Sequence, residues 1–330
     1  MAGQRRSLAV FLVALAIAGC ASAASIDLQG HRGARGLAPE NTLAGFRRAV
    51  TLGVSTLELD TGVTRDGVVV IHHNSALNPA LARGADGRWI ESASALNSLT
   101  FRQLRRYDVG RLRPGSAYAA RYPQQAAEDG ETIPALDTLF AWLRADGQQR
   151  IRVNIEAKLS PLAPAASASP EVMIKAILKS IARHRMVERV TLQSFDWRTL
   201  ALARVAAPAI PRVHLTARQS WLDNLDPRWN AGLKLEDHGS VPGLVRAAGG
   251  DAWSPFHGDL GEGDRATARA LGLKVIPWTV NAPADIERML DLGVDGLITD
   301  YPDLARRLIT ARGLAVAPID WKRSSPTGSR

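Results

Sequence analysis

The chain has a single cysteine, Cys20, among its 330 residues. No intramolecular disulfide can therefore hold the fold, and its stability has to come from a buried core, for which the chain is long enough. Aromatic residues make up only 5%, with 4 Tyr and 6 Phe. No basic stretch is interleaved with aromatics, so a stacking groove is absent from the pattern and no nucleic-acid partner is expected. After the first 25 residues there is no sustained apolar run, which excludes a polytopic membrane protein. No internal repeat or long low-complexity tract is visible. What is present is ordinary for a globular chain, 46% hydrophobic and 22% charged. The net charge is +9, or +7 without Arg5 and Arg6. That balance favours anionic partners such as phosphoesters or anionic lipid, although a solvated Arg-rich face accounts for it at least as well.

The first residues belong to targeting. Arg5 and Arg6 precede an apolar run from Leu8 to Ala18 and then small residues through Ser25. This is the n-region, h-region and cleavage zone of an export signal, read here as residues 1–24. Two cleavage sites compete. Ile17-Ala18-Gly19-Cys20 resembles a bacterial lipobox, in which Cys20 is lipidated and attaches the protein to a membrane. Ala21-Ser22-Ala23 is a small-residue site that releases a soluble product. The expected location is outside the cytoplasm, as a periplasmic or cell-envelope lipoprotein or its soluble counterpart.

From Ile26 onward, short apolar strands alternate with segments of helical period, the pattern of a parallel α/β fold. Strands are expected at Ile26–Gly30, Thr56–Asp60, Ile151–Ile155, Val190–Leu192, Val213–Leu215, Ala252–Ser254, Val275–Thr279 and Gly296–Ile298. Val68–Ile71 is a further short strand, taken as a spur. Eight strands are the number that closes a parallel α/β barrel. Helices are expected from about Asn41 to Gly53, from Pro170 with Ser169 as its cap, from Pro283 to Leu292, and over Leu304–Ile309. The segment from about 73 to 134 fits no strand–helix unit and reads as an insertion on the barrel rim. Its stretch Phe101–Gln125 holds six Arg against one Asp. The barrel is taken as 26–312 and the remainder, 313–330, as a tail.

Chemistry gathers at the strand ends. The first strand ends in His31-Arg32-Gly33, the second in Glu58-Leu59-Asp60, the third in Glu156-Ala157-Lys158 and the spur in His72-His73. In a parallel barrel the active site is built at that face. Period-2 alternation puts Glu58 and Asp60 on one side, and Glu156 joins them from the neighbouring strand. Three converging buried carboxylates need neutralisation, because unpaired buried charge costs several kcal/mol per ion, on the order of 3–5. A hard divalent cation, Mg²⁺ or Ca²⁺, would supply it, and so would salt bridges to Arg32 and Lys158. Both remain open at this point. His31 and His72 titrate near neutrality and suit acid–base work, while Arg32 and Lys158 suit the oxygens of a phosphate. The set fits phosphodiester cleavage better than hydride or acyl transfer.

These segments, with Pro39-Glu40-Asn41-Thr42, Ser194-Phe195-Asp196, Trp278-Thr279-Val280-Asn281 and Asp295 to Asp300, closely resemble the glycerophosphodiester phosphodiesterase family in order and spacing. The resemblance runs from about residue 27 to 310. It implies a TIM (β/α)8 barrel with a rim insertion, and hydrolysis of small glycerophosphodiesters to sn-glycerol 3-phosphate and an alcohol. It further implies a single divalent cation, Ca²⁺ or Mg²⁺, on Glu58, Asp60 and Glu156. Acid–base roles fall to His31 and His72, with His31 as the expected leaving-group acid. Phosphate contact falls to Arg32 and Lys158, and Trp278 lies against the substrate body. His73 departs from the pattern, since many members carry Asp there. Pro39–Thr42 is read as structural, with Asn41 or Thr42 capping the first helix. The alternatives are a lysophospholipase D or sphingomyelinase D-like enzyme acting on lipid, and a non-catalytic surface binding protein. Oligomeric state is not legible.

Overall fold

A computed structural model describes residues 24–321. Residues 1–23, on which the expected export signal and Cys20 fall, and the last nine residues lie outside the described residues. Alternation of strand and helix begins with β1 (Ser25–Gly30), α1 (Leu43–Thr51), β2 (Thr56–Val63) and β3 (Val69–Ile71). The rim segment carries only short helices, α2 (Phe101–Leu104) and α3 (Ala117–Arg121), before α4 (Leu136–Ala145) returns to the barrel. Then come β4 (Arg152–Ala157), α5 (Pro170–Arg183), β5 (Val190–Ser194), α6 (Trp197–Ala206) and β6 (Arg212–Thr216). A small hairpin follows, β7 (Arg218–Gln219) and β8 (Leu222–Asp223). The chain continues through α7 (Val241–Ala247), β9 (Ala252–Pro255), α8 (Glu262–Ala270) and β10 (Lys274–Val275). It closes with α9 (Pro283–Asp291), β11 (Gly296–Thr299), α10 (Pro302–Ala311) and β12 (Ala315–Val316).

Eight strands run parallel in the order β10-β9-β6-β5-β4-β2-β1-β11. Backbone hydrogen bonds from Asp295 to Val275, from Ile298 to Pro277 and from Val280 to Ile298, of 2.8–3.0 Å, bridge the gap between β10 and β11. The expected eight-stranded TIM barrel is therefore the observed one. β10 is shorter than its apolar run because Pro277 has no N–H to give to a ladder. β2 is longer, since Gly62 and Val63 continue past the barrel ladder and, with Thr61, pair antiparallel with β3, the spur.

Local chemistry explains the helices that frame the site. Thr42 caps α1 by accepting from Gly45 N–H at 3.0 Å, and Phe46 and Ala49 turn inward. Just past its end, Gly53 has φ +81°, the left-handed conformation that glycine adopts without strain. Ser169 caps α5, Pro170 occupies its first position, and Ile174, Ile177 and Ile181 form its buried stripe. This outer core also takes the outward strand residues Leu28, Leu57, Leu59, Val153 and Ile155.

The rim segment holds a small core of its own, including Leu77, Leu96, Leu104, Val109 and Ile133, packed with Val70 of the spur. Part of its basic run is paired: Arg111 binds Asp129 and Arg113 binds Glu91. Nor is everything after 312 a tail. Ala315 and Val316 pair with Ser25 and Ile26, and Ile319 joins Val213, Ala252, Ile276 and Ile298 at the barrel floor. Among the described residues no helix is long and apolar enough to cross a membrane.

Candidate active site

The carboxyl ends of β1, β2 and β4 bring the expected acids together. One oxygen from each of Glu58, Asp60 and Glu156 lies within 4.8 Å of the others, and all three side chains are buried. Lys158 Nζ sits 3.0 Å from Glu156 and 3.5 Å from Asp60. Arg32 Nε is 3.2 Å from Asp60, but its Nη1 is committed to Glu40 at 2.8 Å. Salt bridging thus serves Asp60 and Glu156 and stops short of Glu58. Glu58 accepts only neutral donors, the Arg32 N–H at 2.9 Å and the Gln193 amide at 2.7 Å.

The electrostatics follow from that geometry. Burial, then the charge of Asp60, pushes Glu58 well above the usual carboxylate range. Burial also lifts Glu156, to about 7, with Lys158 opposing. Asp60 is raised by burial too, yet the charges of His73, Arg32 and Lys158 outweigh it and hold Asp60 well below its ordinary value. A partly neutralised cluster of oxygen ligands with one uncompensated carboxylate is a donor set suited to a hard divalent cation.

His31 lies against this cluster, with Nε2 3.9 Å from Glu58 Oε2. Its other nitrogen, Nδ1, is 2.7 Å from Asp300 Oδ1 at the end of β11. Arg35 grips both oxygens of Asp300, at 2.8 and 2.9 Å. Asn281 donates to the same carboxylate at 2.8 Å. Although burial favours the protonated form of Asp300, Arg35 and His31 hold it far below its ordinary value, so it stays ionised. Ionised Asp300 accepts from Nδ1–H and aims Nε2 at the carboxylates. Burial and the Arg35 charge depress His31 to about 4. His72 stands at the end of the spur, 5% exposed, with Nε2 3.3 Å from the Ala76 carbonyl. Burial lowers its pKa as well.

Several functional side chains were not assigned from sequence. Asn41 does not cap α1; its Nδ2 donates to Asp60 at 3.0 Å, while Thr42 is the cap. Glu40 orients Arg32 and accepts from Tyr118 of the rim segment. Arg32 and Asn41 both adopt positive φ, 51° and 55°, and Asn41 N–H donates to the Arg32 carbonyl at 2.9 Å. Such left-handed non-glycine residues cost of order 1–3 kcal/mol and persist where surrounding bonds over-determine them. Asp300 and Arg35 are separated by 265 positions in sequence, and no local pattern links them.

Below the carboxylates a hydrogen-bonded row of side chains crosses the barrel. Asp27 accepts from Gln29, Gln29 and Gln193 each accept from the Asn154 amide, and Gln193 donates to Glu58, at distances of 2.7–2.9 Å. Beside the site, Trp278 is fixed by its indole N–H to the Ser254 carbonyl at 3.0 Å and meets Phe195 edge-on at 5.1 Å. His73 lines a cleft there with Lys158 and Trp278. A larger cleft of about 560 Å³, at the floor by Arg152 and Trp321, contains none of these groups.

Comparison with known proteins agrees with this architecture. The profile of the Glycerophosphoryl diester phosphodiesterase family matches residues 31–304. A glycerophosphodiester phosphodiesterase of Caldanaerobacter subterraneus subsp. tengcongensis is 29% identical, over 86% of this chain and 97% of its own. A Silicibacter pomeroyi structure assigned to the glycerophosphoryl diester phosphodiesterases superimposes with a TM-score of 0.81 at 36% identity, covering 89% of this chain and 96% of that one. An Oleispira antarctica phosphodiesterase, solved in complex with the product sn-glycerol-3-phosphate, shares the fold at 22% identity and a TM-score of 0.63, covering 86% and 96%. A barrel with three carboxylates and an Asp-held histidine at one mouth, matched to a single profile over almost all of its described length, belongs to the glycerophosphodiester phosphodiesterase family.

Proposed function

We propose that this phosphodiesterase hydrolyses glycerophosphodiesters to sn-glycerol 3-phosphate and an alcohol, using one Mg²⁺ or Ca²⁺ and the histidines His31 and His72. The observation that carries the proposal is the buried triad of Glu58, Asp60 and Glu156, in which the salt bridges of Arg32 and Lys158 go to Asp60 and Glu156. The product named for the Oleispira antarctica phosphodiesterase supports the choice of substrate. When bound by the triad, the cation supplies Lewis acidity toward a phosphate oxygen.

The chain's own residues do the rest. Lys158, partly exposed beside the triad, offsets phosphate charge, and Arg32 adds to the same field while Glu40 fixes its direction. Asp300 and Arg35 prevent His31 from rotating away, and ionised Asp300 stabilises the imidazolium that a leaving-group acid must be. Burial and the Arg35 charge disfavour the protonated form of His31, and the acid role therefore relies on Asp300, which opposes both. His72, at the end of the spur with its N–H on the Asp60 carbonyl, accepts the proton of the attacking hydroxyl or water.

A coupled sn-glycerol 3-phosphate assay tests this on glycerophosphocholine, glycerophosphoethanolamine and glycerophosphoglycerol. Activity should vanish with a chelator and return with Mg²⁺ or Ca²⁺. His31→Ala and His72→Ala should each lose about 10²–10⁴-fold in kcat. A p-nitrophenyl leaving group, which needs no proton, should restore the His31 variant and not the His72 variant. Near-normal turnover in both variants on the natural substrates would sink the assignment.

A further inference from the structure

The rim segment reaches the site through one short helix. α3 spans five residues and none of them is buried, so burial of its own side chains does not account for its place. Ser116 caps it by accepting from the Ala119 N–H at 3.1 Å. Tyr118 lies within it and Tyr122 ends it, four positions apart and on one face, with ring centroids separated by 5.4 Å. The chain just beyond is tied to the loop that follows β1. Gln125 donates its amide to the Arg35 carbonyl at 2.7 Å, and Ala126 N–H donates to the Leu37 carbonyl at 3.0 Å. Both tyrosines thereby meet the arginine side of the site.

The two contacts differ in kind. Tyr118 uses its hydroxyl, which donates to Glu40 Oε2 while Arg32 Nη1 approaches the same hydroxyl at 3.5 Å. Burial and the charge of Glu40 push this phenol far above its ordinary value, so the proton stays on Tyr118 and is directed at Glu40. Glu40 is held through one oxygen while the other accepts from Arg32 Nη1 at 2.8 Å. Tyr122 uses its ring, with the Arg35 guanidinium 4.8 Å from its centroid. Arg35 in turn grips Asp300, which holds His31 Nδ1. Burial opposes both guanidinium charges, and Arg35 repels Arg32. Two like charges in one buried corner keep a fixed arrangement only where other contacts impose it.

On the phosphodiesterase reading above, we infer that Tyr118 and Tyr122 are positioning residues: the Tyr118 hydroxyl aims Arg32 at the phosphate through Glu40, and the Tyr122 ring steadies the leaving-group acid His31 through Arg35 and Asp300. One residue needs its hydroxyl and the other its ring, and they serve different steps. Arg32 meets the phosphate both before and during reaction, so loss of its direction weakens binding and spares turnover. His31 acts as the alcohol departs, so loosening it lowers turnover, and only for an alcohol that needs a proton.

The test compares Tyr118→Phe, Tyr122→Phe and Tyr122→Leu with the unaltered protein, with Mg²⁺ or Ca²⁺ present and thermal melts confirming that each variant is folded. The substrates are the glycerophosphodiester that the unaltered protein turns over fastest and its p-nitrophenyl counterpart. Tyr118→Phe should raise KM, and the inhibition constant of sn-glycerol 3-phosphate, about 5- to 20-fold, with kcat changed less than about twofold. Tyr122→Leu should lower kcat on the natural diester about tenfold or more and lose little on the p-nitrophenyl ester. Tyr122→Phe, which keeps the ring, should recover most of that kcat. An unchanged KM in the shape-conserving Tyr118→Phe overturns the inference and leaves the phosphodiesterase reading intact. A Tyr122→Leu enzyme that loses nothing, or loses equally with both leaving groups as a merely structural role predicts, overturns it in the same way. Absence of turnover by the unaltered protein on every diester with either metal overturns the phosphodiesterase reading, and the inference with it.

Discussion

On β1, β2, β4 and β5 the side chains that cross the barrel are Asp27, Gln29, Thr56, Glu58, Asn154 and Gln193, joined by hydrogen bonds. On β6, β9 and β11, and just past β10, the corresponding cluster is Val213, Ala252, Ile298 and Ile276, with Ile319 closing it from below. One barrel interior is thus built by two methods. In the apolar half, shape alone decides the packing, and neighbours can adjust to a lost methyl group. In the polar half, every donor has a designated acceptor, and the partners fix both the position and the rotation of each group. The half that must hold carboxylates to a common point is the half that uses directional bonds. The apolar half has the looser task of supporting Ser254 and Trp278, which carry the aromatic wall.

The difference can be attacked from its strongest point downward. Glu58→Gln removes the charge at the top of the polar row while keeping its shape. It should lower cation affinity, measured by calorimetry, by more than the roughly 10–100-fold typical of residues that merely support a ligand. Gln193→Leu breaks the row one step lower. It should cost about 10–100-fold in cation affinity. Urea unfolding should show a loss of about 1–3 kcal/mol, from the Asn154 amide left short of an acceptor. Unchanged affinity in Gln193→Leu would mean that the row is only structural.

The next effect depends on pH. Burial raises Glu58 and lifts Glu156 to about 7, so the metal-free site carries protons that a cation must displace. Cation affinity should tighten as pH rises through about 7, where Glu156 loses its proton, by up to about tenfold per unit for each proton released. Calorimetry in buffers of different ionisation enthalpy reads the released protons directly; a flat response would contradict the raised carboxylates. The smallest change belongs to the apolar half. Ile276→Val should cost about 0.5–1.5 kcal/mol in stability, with cation affinity unaffected.

How much of this was legible in sequence follows the same division. Each barrel strand announced itself by its apolar outward residues, and Glu58, Asp60 and Glu156 were readable because period-2 alternation fixes direction from sequence alone. His31 and His72 were visible as strand-end residues. Asp300 and Arg35 were not, because their contact with His31 depends on β11 closing against β1, a fact of topology rather than spacing. Gln29, Asn154 and Gln193 were overlooked because a polar residue inside a strand ordinarily argues for weak burial. The contest between a cation and salt bridges could not be decided from residue types, since only the observed geometry shows Lys158 reaching two carboxylates and missing the third. Tyr118 and Tyr122 were hidden at a helix of only five residues, too short for periodicity to register.

β12 has a consequence of a different kind. By pairing Ser25 with Ala315 and Ile26 with Val316, it makes the beginning and the end of the described chain neighbours at the floor, opposite the mouth where β1 delivers His31. Anything appended near either end emerges on the same side of the molecule and leaves the catalytic mouth clear. The fold is therefore arranged as a cartridge with a single handling end, suited to tethering, fusion or circular permutation through that end without obstructing the other.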